Sequence, residues 1–132
     1  MMENGERPRT TQRRLWLWLG YWVSLFSATH LPLPPKETVR LPYGDKVLHF
    51  ALYFVLAWLG GRRLASTLDP RPIAARLAWA GVYVLFAAFD EWLQQFVGRH
   101  MSLHDWLADV SGVAAATLIL IGRQKSRTLS EP

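Results

Sequence analysis

The stretch FDEWLQQFVGRHMSLHDWLADVSG, Phe89 to Gly112, places polar side chains between two apolar segments of the chain. It contains four carboxylates, two glutamines, two histidines and one arginine. Placing an ionisable side chain in a membrane-spanning segment costs free energy, so the presence of such side chains indicates a functional site or specific pairing between helices. The apolar segments on either side of this stretch therefore decide the fold.

Four apolar segments of the 132-residue chain approach the roughly 20 residues that a membrane-spanning helix requires. The prolines of LPLPP, residues 31–35, end the first segment, and Asp45 is the expected N-cap of the second. The sequence predicts an all-α fold, a four-transmembrane-helix bundle in one domain over residues 15–122, with polar tails at 1–14 and 123–132. The four helices are expected from about Leu15 to Leu31, from after Asp45 to about Leu64, from about Ile73 to Val97, and from about Leu103 to Ile121.

Basic residues indicate how this bundle is oriented. Of the 15 lysines and arginines, eleven lie in the two tails and around the second loop, and four lie in or beside the first and third loops. Cytoplasmic segments are enriched in both residue types, so both termini are predicted to be cytoplasmic in a multi-pass protein of the plasma membrane. This placement, together with seven tryptophans, argues for a membrane and against nucleic acid as the partner of a chain with net charge +5. The chain has no cysteine, which excludes disulfides and thiolate metal sites.

A cleavable signal peptide is an alternative interpretation of the first segment. Arg13 and Arg14 precede an apolar run that ends in SLFSAT, whose small residues a signal peptidase tolerates. The run is longer than a usual signal core and rich in aromatic residues, which favours a retained helix.

The predicted hairpins bring the unusual polar residues together at the outer ends of the second, third and fourth helices. Helical spacing assigns them to three faces: Lys46, His49 and Tyr53 of the second helix, Asp90 and Gln94 of the third, and Asp105, Asp109, Gly112 and Ala116 of the fourth. Small residues predict close packing of the fourth helix, and of the first helix along Gly20, Ser24 and Ser27. The sequence therefore predicts a tight bundle with a polar outer pocket.

An ordered pattern runs through residues 45–112: Asp45-Lys46-x-x-His49-Phe50-x-x-Tyr53, Asp90-Glu91-x-x-Gln94-x-Phe96, Gly98-Arg99 and Asp105-x-x-x-Asp109-x-x-Gly112. The order and spacing of these residues resemble the VanZ-like family of bacterial membrane proteins. The resemblance implies a small multi-helix protein of the bacterial inner membrane and cell envelope, sometimes linked to lowered susceptibility to glycopeptide antibiotics, and it supplies no reaction, substrate or cofactor. Two departures are Asp109, where asparagine is frequent, and Val97, where proline is frequent.

The main hypothesis for function is a pocket that binds an amphiphilic envelope molecule, such as a lipid-linked phosphate or a lipopeptide. His49 and Asp90 are the expected catalytic residues, handling protons if the molecule is also modified, which the sequence leaves open. Arg99 suits an anionic group because its planar fork matches phosphate and carboxylate. The other expected binding residues are Lys46, Tyr53, Glu91, Gln94, Asp105 and Asp109. No cofactor and no metal are predicted, since His100 and His104 match no metal signature.

Two other functions remain open at this point. The polar residues form a structural clamp in a non-enzymatic scaffold or assembly subunit if Asp90 pairs with Arg99 and Asp105 caps the fourth helix. Transport of a proton or small ion requires titratable groups across the whole membrane, and the cytoplasmic halves of the helices offer few.

Overall fold

The computed structural model of the chain describes residues 9–31, 44–67 and 73–130. Within these ranges it is helical without any strand, which confirms the all-α prediction. The elements are α1 (Arg9–His30), α2 (Gly44–Thr67), α3 (Ile73–Gln94), a 3₁₀ turn (Gln95–Val97) and α4 (Leu103–Ser130). The proline-rich segment after Leu31, the basic residues of the first loop, and Arg71 lie outside the described residues.

Three helices extend beyond their predicted ends. α1 begins at Arg9 instead of Leu15, α2 continues past Leu64 to Thr67, and α4 continues past Ile121 to Ser130. Arginine, lysine and glutamine have high helix propensity, so the basic residues beyond the apolar segments continue α1 and α4.

The end of α3 is fixed by Gly98. This glycine has φ +77°, in the left-handed region that favours glycine. The backbone N–H of Arg99 donates to the carbonyl oxygen of Gln94 at 3.1 Å, which closes the 3₁₀ turn and satisfies a carbonyl of the last helical turn. The chain then enters α4 after four intervening residues, Arg99–Ser102.

α2 and α4 make the most extensive contact in the bundle. A Cβ atom at Gly112 of α4 would collide with the carbonyl oxygen of Phe50 in α2 and lie 2.9 Å from the backbone nitrogen of Phe54. Ala116, one turn further along, is completely buried. The predicted close packing along Gly112 and Ala116 is therefore confirmed, because only small residues let two helix backbones approach in this way.

α1 packs through a different face from the one predicted. Gly20, Ser24 and Ser27 are exposed, and the two serine hydroxyls donate to carbonyl oxygens of α1 itself. The packed face instead carries large residues, which remove more apolar surface from the surroundings than small ones do. It consists of Trp18, Tyr21, Trp22, Leu25 and Thr29.

Aromatic side chains with polar tips anchor this face of α1. The indole N–H of Trp18 donates to the Tyr83 hydroxyl at 3.1 Å, and the Tyr21 hydroxyl donates to the carbonyl oxygen of Leu52 at 2.9 Å. Trp22 lies edge-on to Phe86 with ring centroids 5.1 Å apart. Trp18 and Trp22 are thus packing residues of the described bundle.

Two helical stretches, Ile73–Val97 and Leu103–Ser126, are long and apolar enough to cross a membrane. Only 22% and 28% of their most apolar windows are buried inside the chain, so most of the apolar surface faces outward. Leu85 is 72% exposed and Leu118 is 67% exposed, whereas Asp90 and Asp109 are each 1% exposed. Apolar side chains outside and carboxylates inside reverse the usual arrangement of a water-soluble protein.

Substitution of Gly112 by alanine tests the α2–α4 contact. The added methyl group must displace the Phe50 backbone, so the free energy of unfolding should fall by about 1–3 kcal/mol in detergent micelles titrated with SDS. Gly81→Ala is the matched control, because its Cβ atom meets nothing within 4 Å. Alanine there should leave the protein equally stable or more stable by up to about 1 kcal/mol. Equal stability of the two variants would contradict the packing.

Candidate functional site

The antiparallel helices separate acidic from basic residues along the bundle. All five carboxylate side chains of the described ranges lie where α1 and α3 end and where α2 and α4 begin: Asp45, Asp90, Glu91, Asp105 and Asp109. The opposite end is basic. There Arg13, Arg14 and Arg62 line a groove of about 280 Å³, and the Arg123 guanidinium lies 4.9 Å from the centre of the Trp58 ring.

Seven of the predicted site residues lie at the acidic end and are called the acidic layer below; their contacts join His49 with Glu91 and Asp109, Lys46 with Asp105, and Asp90 with Gln94. Its members come from α2, α3 and α4, and hydrogen bonds or ion pairs link them to one another or to the neighbouring helix ends. The acidic layer consists of Lys46, His49, Asp90, Glu91, Gln94, Asp105 and Asp109.

His49 lies at the centre of the acidic layer. Its Nδ1 atom is 3.0 Å from Oδ1 of Asp109 and 3.8 Å from Oε1 of Glu91. All three side chains are buried, and each belongs to a different helix. The predicted faces of α2 and α4 therefore meet, but α3 contributes Glu91 to this contact, and not the predicted face of Asp90 and Gln94. His49 connects α2 to both α3 and α4.

Asp90 ties α3 to the end of α1. Its Oδ1 atom lies 3.0 Å from the Thr29 hydroxyl, and its Oδ2 atom accepts from the Gln94 amide at 3.2 Å. The guanidinium Nη1 of Arg99 donates to the Thr29 carbonyl oxygen at 2.6 Å. The alternative in which Asp90 pairs directly with Arg99 is therefore wrong, because Thr29 lies between them and contacts both.

The rim of the acidic layer fixes the start of α4. Lys46 Nζ lies 3.0 Å from Asp105 Oδ1 and 3.4 Å from Asp45 Oδ2. Ser102 caps the helix, since its hydroxyl accepts from the Asp105 backbone N–H at 3.3 Å and its own N–H donates to Glu91 Oε2 at 3.0 Å. Asp105 is thus not the N-cap, which was one of its two proposed roles; it pairs with Lys46 instead.

The remaining predicted residues lie around this group. Tyr53 is completely buried in the core, with its ring centroid 6.2 Å from that of Phe86. Arg99 is half-exposed at the rim, whereas His100 and His104 are exposed and outside the group. Three cavities found among the described residues lie elsewhere: the basic groove, a small cavity near Arg76, and an apolar groove of about 270 Å³ between α3 and α4.

Sequence reasoning missed Thr29 and Ser102. Thr29 continues the spacing of Trp18, Trp22 and Leu25 on the packed face of α1, so a helical-face analysis based on large residues would have found it. Ser102 precedes Asp105 by three residues, which is the spacing of an N-terminal capping box.

Removal of the Thr29 hydroxyl tests the link between α1 and α3. Thr29→Val keeps the shape of the side chain but removes a donor from the buried Asp90 carboxylate, so the free energy of unfolding should fall by about 1–3 kcal/mol. Thr29→Ser should retain wild-type stability in the same SDS titration. Ser27→Ala is the control for loss of an exposed hydroxyl and should change stability by less than about 0.5 kcal/mol. A valine variant as stable as Ser27→Ala would show that the link contributes nothing.

The chain matches no protein-family model, no curated protein and no solved structure. No fold or site is therefore carried over from a relative. Three structural features bear on the function: the acidic layer, the half-exposed Arg99 at its rim, and the apolar exterior.

Proposed function

We propose that the chain is a four-helix integral membrane protein of the VanZ-like family. In this proposal the acidic layer faces away from the cytoplasm and binds an amphiphilic cell-envelope molecule. The family assignment is supported by proximity: residues of the sequence pattern that are far apart in the chain, such as His49, Glu91 and Asp109, are neighbours in space. A shared site gives a physical reason for the whole pattern to occur together.

The membrane part of the proposal is supported by the exterior of the bundle. Two stretches are long and apolar enough to span a bilayer, and the proposal extends this to α1 and α2, which pack against the other helices. The basic end of the described bundle is assigned to the cytoplasm, because cytoplasmic segments are enriched in lysine and arginine. Both termini are then cytoplasmic, and the protein is multi-pass in the bacterial inner membrane.

The single observation that supports binding best is the environment of Arg99. One of its N–H groups donates to the Thr29 carbonyl, and the others have no acceptor among the described residues. Large apolar side chains are exposed around it, with Phe96 at 68%, Met101 at 64% and Leu103 at 64%. A guanidinium with unused donors beside apolar surface suits an anionic group that carries acyl chains. A lipid-linked phosphate has this chemistry, and a lipopeptide carboxylate shares it.

Binding is supported more directly than catalysis. His49 has a carboxylate partner that orients its ring, as a proton-transferring histidine requires. However, Asp90 is 1% exposed and already accepts from two neighbours, which leaves little room for a substrate. Proton transfer by His49 and Asp90 therefore stays a prediction, as does the link to glycopeptide susceptibility that the resemblance implies.

A structural clamp is the second candidate, and the contacts of Thr29 favour it. Thr29 joins α1 to both Asp90 and Arg99, so substitutions here would separate helices before they affected a ligand. In a pure scaffold, His49→Ala and Asp90→Ala should lower the amount of protein in the membrane without altering which lipids co-purify. In a binding protein, at least one variant that accumulates normally should lose its lipid.

The proposed function predicts that an anionic lipid co-purifies with the protein through Arg99. Lipid-resolved mass spectrometry of the detergent-purified chain should detect a phosphorylated or carboxylate-bearing lipid enriched over the bulk membrane. Arg99→Ala should reduce that enrichment at least about tenfold, because a bidentate charged contact is lost. Arg99→Lys keeps the charge without the fork and should give an intermediate value.

Arg123→Ala is the matched control, since Arg123 is a basic residue at the opposite end of the bundle. It should leave the enrichment unchanged. Equal lipid profiles for wild type and Arg99→Ala, at equal protein levels, would contradict the binding function and favour the clamp.

A further inference from the structure

Three helices each contribute one metal-ligating side chain to the same buried point. His49 of α2, Glu91 of α3 and Asp109 of α4 each offer a donor atom, and these three atoms lie within 4.8 Å of one another. We propose that these residues bind one divalent transition-metal ion. This inference goes beyond the proposed function and holds whether or not a lipid binds at Arg99.

The distances between the donor atoms fit a single ion. His49 Nδ1 is 3.0 Å from Asp109 Oδ1 and 3.8 Å from Glu91 Oε1. Metal bonds of about 2.0–2.2 Å to nitrogen and oxygen place neighbouring donors about 3–3.5 Å apart. The first distance lies in this range, the second is slightly longer, and all three donor atoms lie within 4.8 Å of one another, so an inward movement of the Glu91 carboxylate closes the site. The ion takes the place of the proton in the hydrogen bond between His49 Nδ1 and Asp109 Oδ1.

Two carboxylate oxygens at this point accept no hydrogen bond from the described residues. Oε1 of Glu91 and Oδ2 of Asp109 are buried without a hydrogen bond among the described residues. The two side chains are only 3% and 1% exposed, so bulk water does not replace the missing partners. Buried acceptors are rarely left without a donor or an ion. A bound cation would satisfy Glu91 Oε1 directly, and Asp109 Oδ2 as well where the Asp109 carboxylate binds through both oxygens.

The negative charge of the two carboxylates also favours a bound cation. Two carboxylates are buried against one imidazole, and within the described ranges neither is paired with a lysine or arginine. The nearby Lys46 is already engaged by Asp105 and Asp45 at the rim. A divalent ion balances two buried carboxylates without requiring any further protein charge.

One ligand is already held in position by a second contact. Oε2 of Glu91 accepts the backbone N–H of Ser102 at 3.0 Å, which leaves Oε1 as the atom nearest His49. Metal-binding carboxylates are commonly oriented by such hydrogen bonds from outside the ligand set. The α3–α4 connection therefore orients the Glu91 carboxylate for binding a metal ion.

The donor set selects among metals. Imidazole favours zinc and iron over magnesium and calcium, while carboxylates also suit manganese. One imidazole with two carboxylates therefore fits Zn²⁺, Mn²⁺ or Fe²⁺, and three protein ligands leave a coordination position open for water or an added ligand. The sequence predicts no metal because it contains no local metal signature; His49, Glu91 and Asp109 are far apart in the chain, and the structure shows how closely their donor atoms approach.

Metal titration of the full chain tests the proposal. The protein is purified in detergent, freed of any affinity tag, stripped with a chelator, and titrated with Zn²⁺ and with Mn²⁺. Bound metal is measured by elemental mass spectrometry after gel filtration, and one equivalent is expected. Glu91→Gln and Asp109→Asn should each weaken metal binding at least about tenfold. Substitution of residues that only hydrogen-bond a metal ligand typically lowers metal affinity by that factor, and these two residues are ligands themselves.

Asp105→Asn is the matched control, because Asp105 is a carboxylate of the same layer that pairs with Lys46 and not with His49. It should bind metal like wild type, and circular dichroism should show that all three variants keep their helices. Wild-type protein without a stoichiometric ion, or equal loss in Asp105→Asn and Asp109→Asn, would overturn the proposal.

Arg99→Ala separates this inference from the proposed function. Arg99 is outside the ligand set, so this variant should bind one equivalent of metal even where it loses the co-purifying lipid. Metal bound to a wild-type protein that enriches no lipid would refute lipid binding alone. A co-purifying lipid without metal would refute the metal site alone.

Discussion

Close packing of α2 against α4 at Gly112 is the constraint on which the rest of the structure depends. Any side chain at this position would collide with the backbone at Phe50, so glycine allows the two helices to approach. Nearer the helix starts, the same approach brings His49 to 3.0 Å from Asp109. A wider separation would leave the Asp109 carboxylate buried without its partner. A buried carboxylate without a partner lowers the stability of the fold far more than a buried carboxylate paired with an imidazole.

The proposed bilayer environment accounts for both the acidic layer and the apolar exterior. In a bilayer an apolar exterior provides no driving force for helix association, so polar contacts and close packing would specify which helices pair. Here His49 joins three helices and Thr29 joins the fourth. The same layer retains unpaired carboxylate oxygens, so the contacts that assemble the bundle also create a place for a cation.

The faces of α2 and α4 near the acidic end could be predicted from the sequence because they depend on local spacing, whereas for α3 the residue that contacts His49 is Glu91 and not the predicted Asp90. Gly112 and Asp109 lie one turn apart on one helix, and period 3.6 alone aligns them. The packed face of α1 was predicted wrongly, because small residues at Gly20 and Ser24 indicate close packing only where a partner helix is present. The contacts of Thr29 were not predictable from spacing, since which helix lies beside it depends on the fold of the whole chain.

Accessibility of the helix ends from the two sides of the membrane tests the proposed topology, and with it the central claim, most directly. The chain has no cysteine, so single cysteines at exposed positions can be labelled with a membrane-impermeant maleimide in spheroplasts. Asp45→Cys and Met101→Cys should both be labelled from outside, whereas Arg62→Cys and Ser126→Cys should be labelled only after permeabilisation. Labelling of Asp45→Cys and Met101→Cys from opposite sides would contradict the account, because the acidic residues could not then form a single layer.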